Sequence, residues 1–135
     1  MKQCTKCKTT KNILKFYKDS RSKSGTQSMC KDCFKVWQQS DTGKKVARKA
    51  HLSYKYKVTL EEYDEMLIEQ NYCCAICKTN IKECDTGSGN HLAVDHCHST
   101  GKVRGLLCTP CNLLLGKAKD NVTTLQSAIN YLMKT

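Results

Sequence analysis

Four Cys-x2-Cys pairs are the residues of this chain best spaced for chemistry: Cys4 and Cys7, Cys30 and Cys33, Cys74 and Cys77, Cys108 and Cys111. They account for eight of its 11 cysteines. Such a knuckle sets two thiolates about one tetrahedral edge apart, and two knuckles close the four-thiolate site that a structural zinc ion takes. Paired in sequence order, they give a first site around a 22-residue insert and a second around 30 residues, so two structural Zn²⁺ ions are expected. Redox dithiols and iron–sulfur ligation are the competing uses, and zinc is favoured over both. Cys73, Cys84 and Cys97 are left over and read as free thiols without a role.

The second insert holds another constellation, Val94-Asp95-His96-Cys97-His98, and Asn112 follows directly after Cys111. Carboxylate and amide oxygens are hard ligands that suit Mg²⁺ or Mn²⁺ better than a further zinc. An imidazole beside such an ion can take a proton from water near neutral pH. The ion meanwhile neutralises charge that builds on a phosphodiester. A lone histidine is more often a satisfied surface or core residue, but here two knuckles frame it.

The elements that must position these groups follow from spacing. Thr59-Leu-Glu-Glu62 fits a capping box, with Leu60, Tyr63, Met66 and Leu67 on one face of a helix ending near Asn71. His91–Asp95 and Lys102–Leu107 are two short strand candidates joined through Ser99-Thr-Gly101, which predicts a β-hairpin. Asn112–Lys119 is predicted helical, and Thr123 or Thr124 starts a final amphipathic helix through Leu125, Ala128, Ile129 and Leu132. Upstream, Phe34–Lys57 reads as one or two exposed basic helices with a break near Asp41–Gly43. The chain divides into a Cys4 zinc module over 1–37, a basic helical linker over 38–57 and a third segment over 58–135.

Charge separates these parts. Residues 1–57 hold 16 Lys and Arg against three Asp, a net +13, whereas residues 58–135 hold seven against nine acidic groups, a net −2. A surface this basic, concentrated in one half, favours a polyanion such as nucleic acid. The alternative is a solvated, solubilising face. Lys44, Lys45, Arg48 and Lys49 are the candidate phosphate contacts of the linker. Trp37, Tyr54 and Tyr56 interleave with lysines, and either stack on unpaired bases or, the favoured reading, pack the linker helix against a core. An odd cysteine count, with no apolar stretch after Met1-Lys2-Gln3-Cys4 to suggest a secretory signal, argues for a reducing cytoplasm. A mean hydropathy of −0.57 and no run of 18 apolar residues argue against a membrane span.

The stretch from Cys74-Ala-Ile-Cys77 through His91-Leu-Ala-Val-Asp-His-Cys-His98 to Arg104-Gly-Leu-Leu-Cys108-Thr-Pro-Cys-Asn112 resembles the phage recombination endonuclease VII family. That family belongs to the HNH, or ββα-metal (His-Me finger), nucleases, and the resemblance covers roughly residues 58–135. It implies a small α+β zinc-stapled fold: a ββα-metal core with flanking helices, preceded by the zinc-knuckle module. It also implies roles. Asp95 and Asn112 would hold the catalytic Mg²⁺ or Mn²⁺, His96 would activate water, and His98 would stand near the scissile phosphate. Arg104 becomes a candidate phosphate clamp, since a guanidinium matches phosphate oxygens bidentately, and the neighbouring Lys102 a further contact. Expected with these are a DNA substrate, a phage protein acting in host cytoplasm, and a homodimer as one arrangement, because the family's junction resolvase is an intertwined dimer. Two departures stand out. Gly105 falls where the general HNH pattern has its middle asparagine, and Leu115 stands where the junction resolvase carries a glutamate, so nicking or double-strand cleavage is as well supported as junction cleavage. The reading from a different class is a zinc-knuckle nucleic-acid-binding protein without catalysis; a zinc-stapled adaptor would leave the basic half unexplained.

Overall fold

The computed structural model describes residues 1–134 and resolves two compact units, Met1–His51 and a second that begins at Leu52. In the first, β1 (Lys2–Gln3) pairs antiparallel with β2 (Thr10–Lys11). β3 (Phe16–Lys18) then pairs antiparallel with β4 (Thr26–Cys30), and α1 (Lys31–Gln39) follows without a loop. Its small core is Cys4, Phe16 and Cys30, with Met29 and Cys33 packed against it. So little apolar surface cannot hold about 50 residues unaided, and a metal staple is the usual supplement.

Ser40 breaks the predicted basic helix, separating α1 from α2 (Asp41–Tyr56). The corner is tight. The Ser40 amide and hydroxyl both donate to the Trp37 carbonyl, at 3.0 and 2.6 Å, and the Ser40 hydroxyl accepts from the Gly43 amide at 3.2 Å. A Cβ on Gly43 would lie 2.0 Å from that same carbonyl oxygen, so only glycine fits.

In the second unit, α3 (Leu60–Glu69) begins with the predicted capping box: Thr59 accepts from the Glu62 amide, and Glu62 accepts from the Thr59 amide at 2.7 Å. The helix closes at Gln70, after which Asn71 and Tyr72 take left-handed conformations. β5 (Ala93–His96) and β6 (Val103–Leu107) form the expected antiparallel hairpin, and α4 (Thr109–Lys117) completes a ββα unit packed against β5. The core gathers Leu52, Val58, Tyr63, Leu92, Val94, Leu106 and Leu107 around Cys74, Cys108 and Cys111. α5 (Val122–Leu132) starts earlier than Thr123 or Thr124, because the Asn121 side chain accepts from the Thr124 amide at 2.8 Å and so takes the cap. Among the described residues no helix is long and apolar enough to cross a membrane.

The two units repeat one local design. In Cys4-Thr-Lys-Cys7-Lys-Thr9 the Cys4 amide donates to Thr9 and the Lys8 amide to Cys4; in Cys74-Ala-Ile-Cys77-Lys-Thr79 the Cys74 amide donates to Thr79 and the Lys78 amide to Cys74. Lys8 and Lys78 are both left-handed, with φ of 59° and 61°. Each unit's second cysteine pair opens a helix directly after a hairpin, with Cys30 and Cys108 as the N-caps of α1 and α4.

Candidate active site and metal centres

The turn after each knuckle folds its two sulfurs toward the pair carried on the following helix. Cys4, Cys7, Cys30 and Cys33 gather so that their sulfurs lie within 4.8 Å of one another, and Cys74, Cys77, Cys108 and Cys111 do the same. Four soft sulfur donors in a closed cluster fit zinc and suit neither Mg²⁺ nor Ca²⁺. Cys74, not Cys73, joins the second cluster; Cys73 turns its thiol to the Asn71 carbonyl at 3.2 Å.

Backbone amides prepare part of each cluster. The Cys30 amide donates to the Cys4 sulfur at 3.2 Å, and amides led by that one hold the Cys4 thiol at about 6, below its ordinary 9.0. Cys77 is also lowered to about 6, chiefly through the Thr79 hydroxyl and amide. On the helix side, Cys33 and Cys108 go the other way. Cys33 is pushed up to about 12, first by its hydrogen bond with Cys30, and Cys108 to about 12, first by burial. A divalent cation must therefore displace a proton from Cys33 in the first cluster and from Cys108 in the second. Lys11 adds charge to the first: its ammonium donates to the Cys30 sulfur at 3.4 Å and to Asp32 at 2.9 Å.

The hairpin carries the other candidates. Asp95 sits opposite Gly105 and His96 opposite Val103, with a register shift between the two pairs. Such an irregularity re-aims a side chain and is common beside active sites. Asp95 is 8% exposed, and Arg104 across the hairpin donates to both of its oxygens, Nε to Oδ2 at 2.6 Å and Nη2 to Oδ1 at 2.9 Å. Arg104 reaches on to Asp120, Nη2 to Oδ1 at 3.1 Å, and the His98 Nδ1 lies 3.7 Å from the other Asp120 oxygen. The guanidinium lowers the Asp120 carboxyl below its ordinary value, and the two carboxylates push Arg104 further upward. The His96 and His98 rings meet edge to face at 5.0 Å, and Tyr56 meets His96 at 5.3 Å.

Asp95, His96, His98 and Arg104 are thus one connected cluster. Arg104, the candidate phosphate clamp, directs its Nε and Nη2 to the Asp95 and Asp120 carboxylates. Asn112 lies half-buried in the first turn of α4, the helix that packs against β5. Lys102 is exposed in the hairpin turn. Lys44, Lys45, Arg48 and Lys49 belong to α2 within the first unit. Tyr56 packs on the second unit's core, as the favoured reading of the linker aromatics expects, whereas Tyr54 departs from that reading and is 85% exposed beneath Lys57.

Two residues that support the hairpin site escape a reading of the sequence. Asp120 follows α4 in a left-handed pair with Lys119, at φ of 54° and 53°, and no spacing rule ties it to Asp95. Gln70 acts as a detached piece of strand: its Oε1 accepts from the Leu106 amide at 2.8 Å, and its Nε2 donates to the Leu106 and Cys73 carbonyls at 2.9 and 2.8 Å. Gly105 makes room for it, since a Cβ there would lie 3.0 Å from Gln70 Oε1. The one signal of this in the sequence is the glycine opposite Asp95. Tyr63 fixes the other end of the hairpin, its buried hydroxyl donating to the Leu92 carbonyl at 2.9 Å.

Residues 49–134 match the family model described as Recombination endonuclease VII. The chain is 46% identical over 80 residues to the Gene 59 protein of Mycobacterium phage D29, and 42% identical over 79 residues to that of Mycobacterium phage L5. Each match covers 58% of this chain but only 46% and 45% of the relatives, so the chain spans about half their length. The crystal structure of the ββα-Me type II restriction endonuclease Hpy99I aligns over 97% of the chain and 64% of its own length, with 27% identity and a TM-score of 0.41.

Proposed function

The chain belongs to the recombination endonuclease VII family, and from that premise we propose that it is a metal-dependent DNA endonuclease whose reacting groups lie on the 93–107 hairpin and the first turn of α4. The observation that supports this best is the joining of Asp95, His96, His98 and Arg104 into one half-buried polar cluster on a hairpin held between a four-cysteine cluster and a capped helix. Asp95 and Asn112 would hold the divalent ion. A carboxylate offers about four lone-pair sites, and the two that Arg104 uses leave the others for a cation. An ion held there would neutralise the negative charge that builds on the phosphodiester in the transition state.

The chain's own groups do the rest. His96, with its ring fixed between Tyr56 and His98, accepts a proton from the attacking water at an imidazole nitrogen. Arg104 holds the Asp95 carboxylate in one orientation. His98, steadied by Asp120, stands at the exposed end of the cluster, where it can hold a phosphate oxygen. The nuclease part spans 58–135. The 1–37 module and 38–57 linker, with Lys44, Lys45, Arg48 and Lys49, supply the sequence-independent attraction that counterion release gives. The two cysteine clusters are structural zinc sites, and nothing in the reaction passes through them.

A panel of supercoiled plasmid, linear duplex and four-way junction tests this, each offered with Mg²⁺ or Mn²⁺ and with none. Cleavage that needs the ion is expected, and the preferred substrate identifies the mode. Tight, salt-sensitive binding without cleavage under either metal would sink the nuclease reading in favour of a zinc module that only binds nucleic acid.

A further inference from the structure

The first unit carries three aromatic side chains that its buried core does not use. Phe16 enters that core, so Tyr17, next along β3, faces the opposite side of the strand. Phe34 and Trp37 stand three residues apart on α1 and share one helix face. The Tyr17 and Phe34 rings meet at 5.4 Å and 69°, and the Phe34 and Trp37 rings at 5.6 Å and 33°. The Lys31 ammonium lies 5.5 Å from the Tyr17 ring centre. Tyr17 remains 37% exposed, and Phe34 and Trp37 are half-buried, so the ladder ends in open aromatic surface.

Charge indicates what would cover it. The unit, Met1–His51, holds 14 Lys and Arg against three Asp, a net +11, and Lys18, Lys31 and Lys35 lie on the same strand and helix as the rings. An apolar partner would meet a strongly basic rim, whereas a nucleic acid strand brings flat bases for the rings and phosphates for the lysines. We propose that Tyr17, Phe34 and Trp37 form a stacking platform for unpaired bases of a DNA strand. This rests on the reading of the chain as a DNA-acting protein, and narrows its substrate to DNA with a single-stranded stretch.

Trp37 is the only tryptophan in the chain, so its fluorescence reports stacking directly. The zinc-loaded full chain would be titrated without added Mg²⁺ or Mn²⁺ with oligo(dT), with an abasic strand of equal length, and with duplex. Oligo(dT) is expected to quench Trp37, and the abasic strand to bind through its phosphates without quenching. Tyr17→Ala and Phe34→Ala should each weaken oligo(dT) binding roughly ten-fold, leave abasic binding unchanged and retain their zinc. Trp37→Phe should keep the oligo(dT) affinity that Trp37→Leu loses. Equal quenching by the abasic strand, or equal weakening of both strands in the variants, overturns the platform. The wild-type contrast decides the matter even where a variant loses its zinc. Base-specific quenching in a chain that never cleaves would remove the nuclease reading alone; cleavage without such quenching would remove the platform alone.

Discussion

At the scale of single residues, the candidate site depends on side chains that satisfy backbone or charge at a distance. Gln70 is the clearest case. Its amide supplies the Leu106 N–H with its acceptor, and Gln70→Ala leaves that buried donor orphaned beside Asp95's hairpin partner. The cost expected is about 2–3 kcal/mol, measurable as a lower urea midpoint with unchanged slope. Asp120 gives a pH signature. Arg104 lowers its carboxyl below the ordinary 3.8, so the pair adds stability that is present above that value and lost as the pH falls through the lowered one. Wild type should therefore resist urea better than Asp120→Asn near neutrality, and the two should converge below pH 3.8. A constant gap across the range would mean that the carboxylate's charge does not matter. Neither residue is legible in the sequence. Asp95, His96, His98 and Asn112 stand out there because cysteine pairs frame them, whereas Gln70 and Asp120 reach the site through space from segments with no recurring spacing. Arg104 is legible as a cation near the site, but its partners are not.

The elements are easier to read because their signals are local. The capping box at Thr59 and the hairpin turn ending at Gly101 stand where spacing places them, since each is settled within a few neighbouring residues. The start of α5 falls one or two residues earlier than its threonines suggest, because Asn121 competes better for the cap. The sequence marks the helix break at Ser40 only as a region, because it depends on one close approach of backbone to backbone. That contact makes a sharp prediction. Gly43→Ala would set a Cβ 2.0 Å from the Trp37 carbonyl, so the corner must open. Reduced thermal stability and altered Trp37 fluorescence are expected, and a variant indistinguishable from wild type would contradict the corner geometry. The knuckles predict as strongly. Cys108→Ser should lower the metal content from about two zinc per chain to about one, by the four-thiolate rule, and unfold the second unit. A stable variant that keeps two would refute the pairing of Cys74 and Cys77 with Cys108 and Cys111.

At the scale of the whole molecule, one design appears twice: a knuckle, a hairpin, and a helix opened by a second cysteine pair. The second copy places acid, imidazole and guanidinium groups on its hairpin, while the first carries aromatic rings and a net +11. The charge asymmetry of the sequence already marks this split, because charge needs no geometry to be counted. On the proposed reading, binding falls to one copy and hydrolysis to the other. The proposed reaction turns on His96 moving the proton, and it is tested most directly by Mg²⁺- or Mn²⁺-dependent plasmid cleavage by wild type and His96→Ala, with zinc content and DNA affinity determined on the same samples. Cleavage should fall by at least about 100-fold, the usual worth of a general base, while zinc and DNA binding stay at wild-type levels. Undiminished cleavage by the variant, or loss of zinc along with activity, would contradict the claim and make His96 a structural residue.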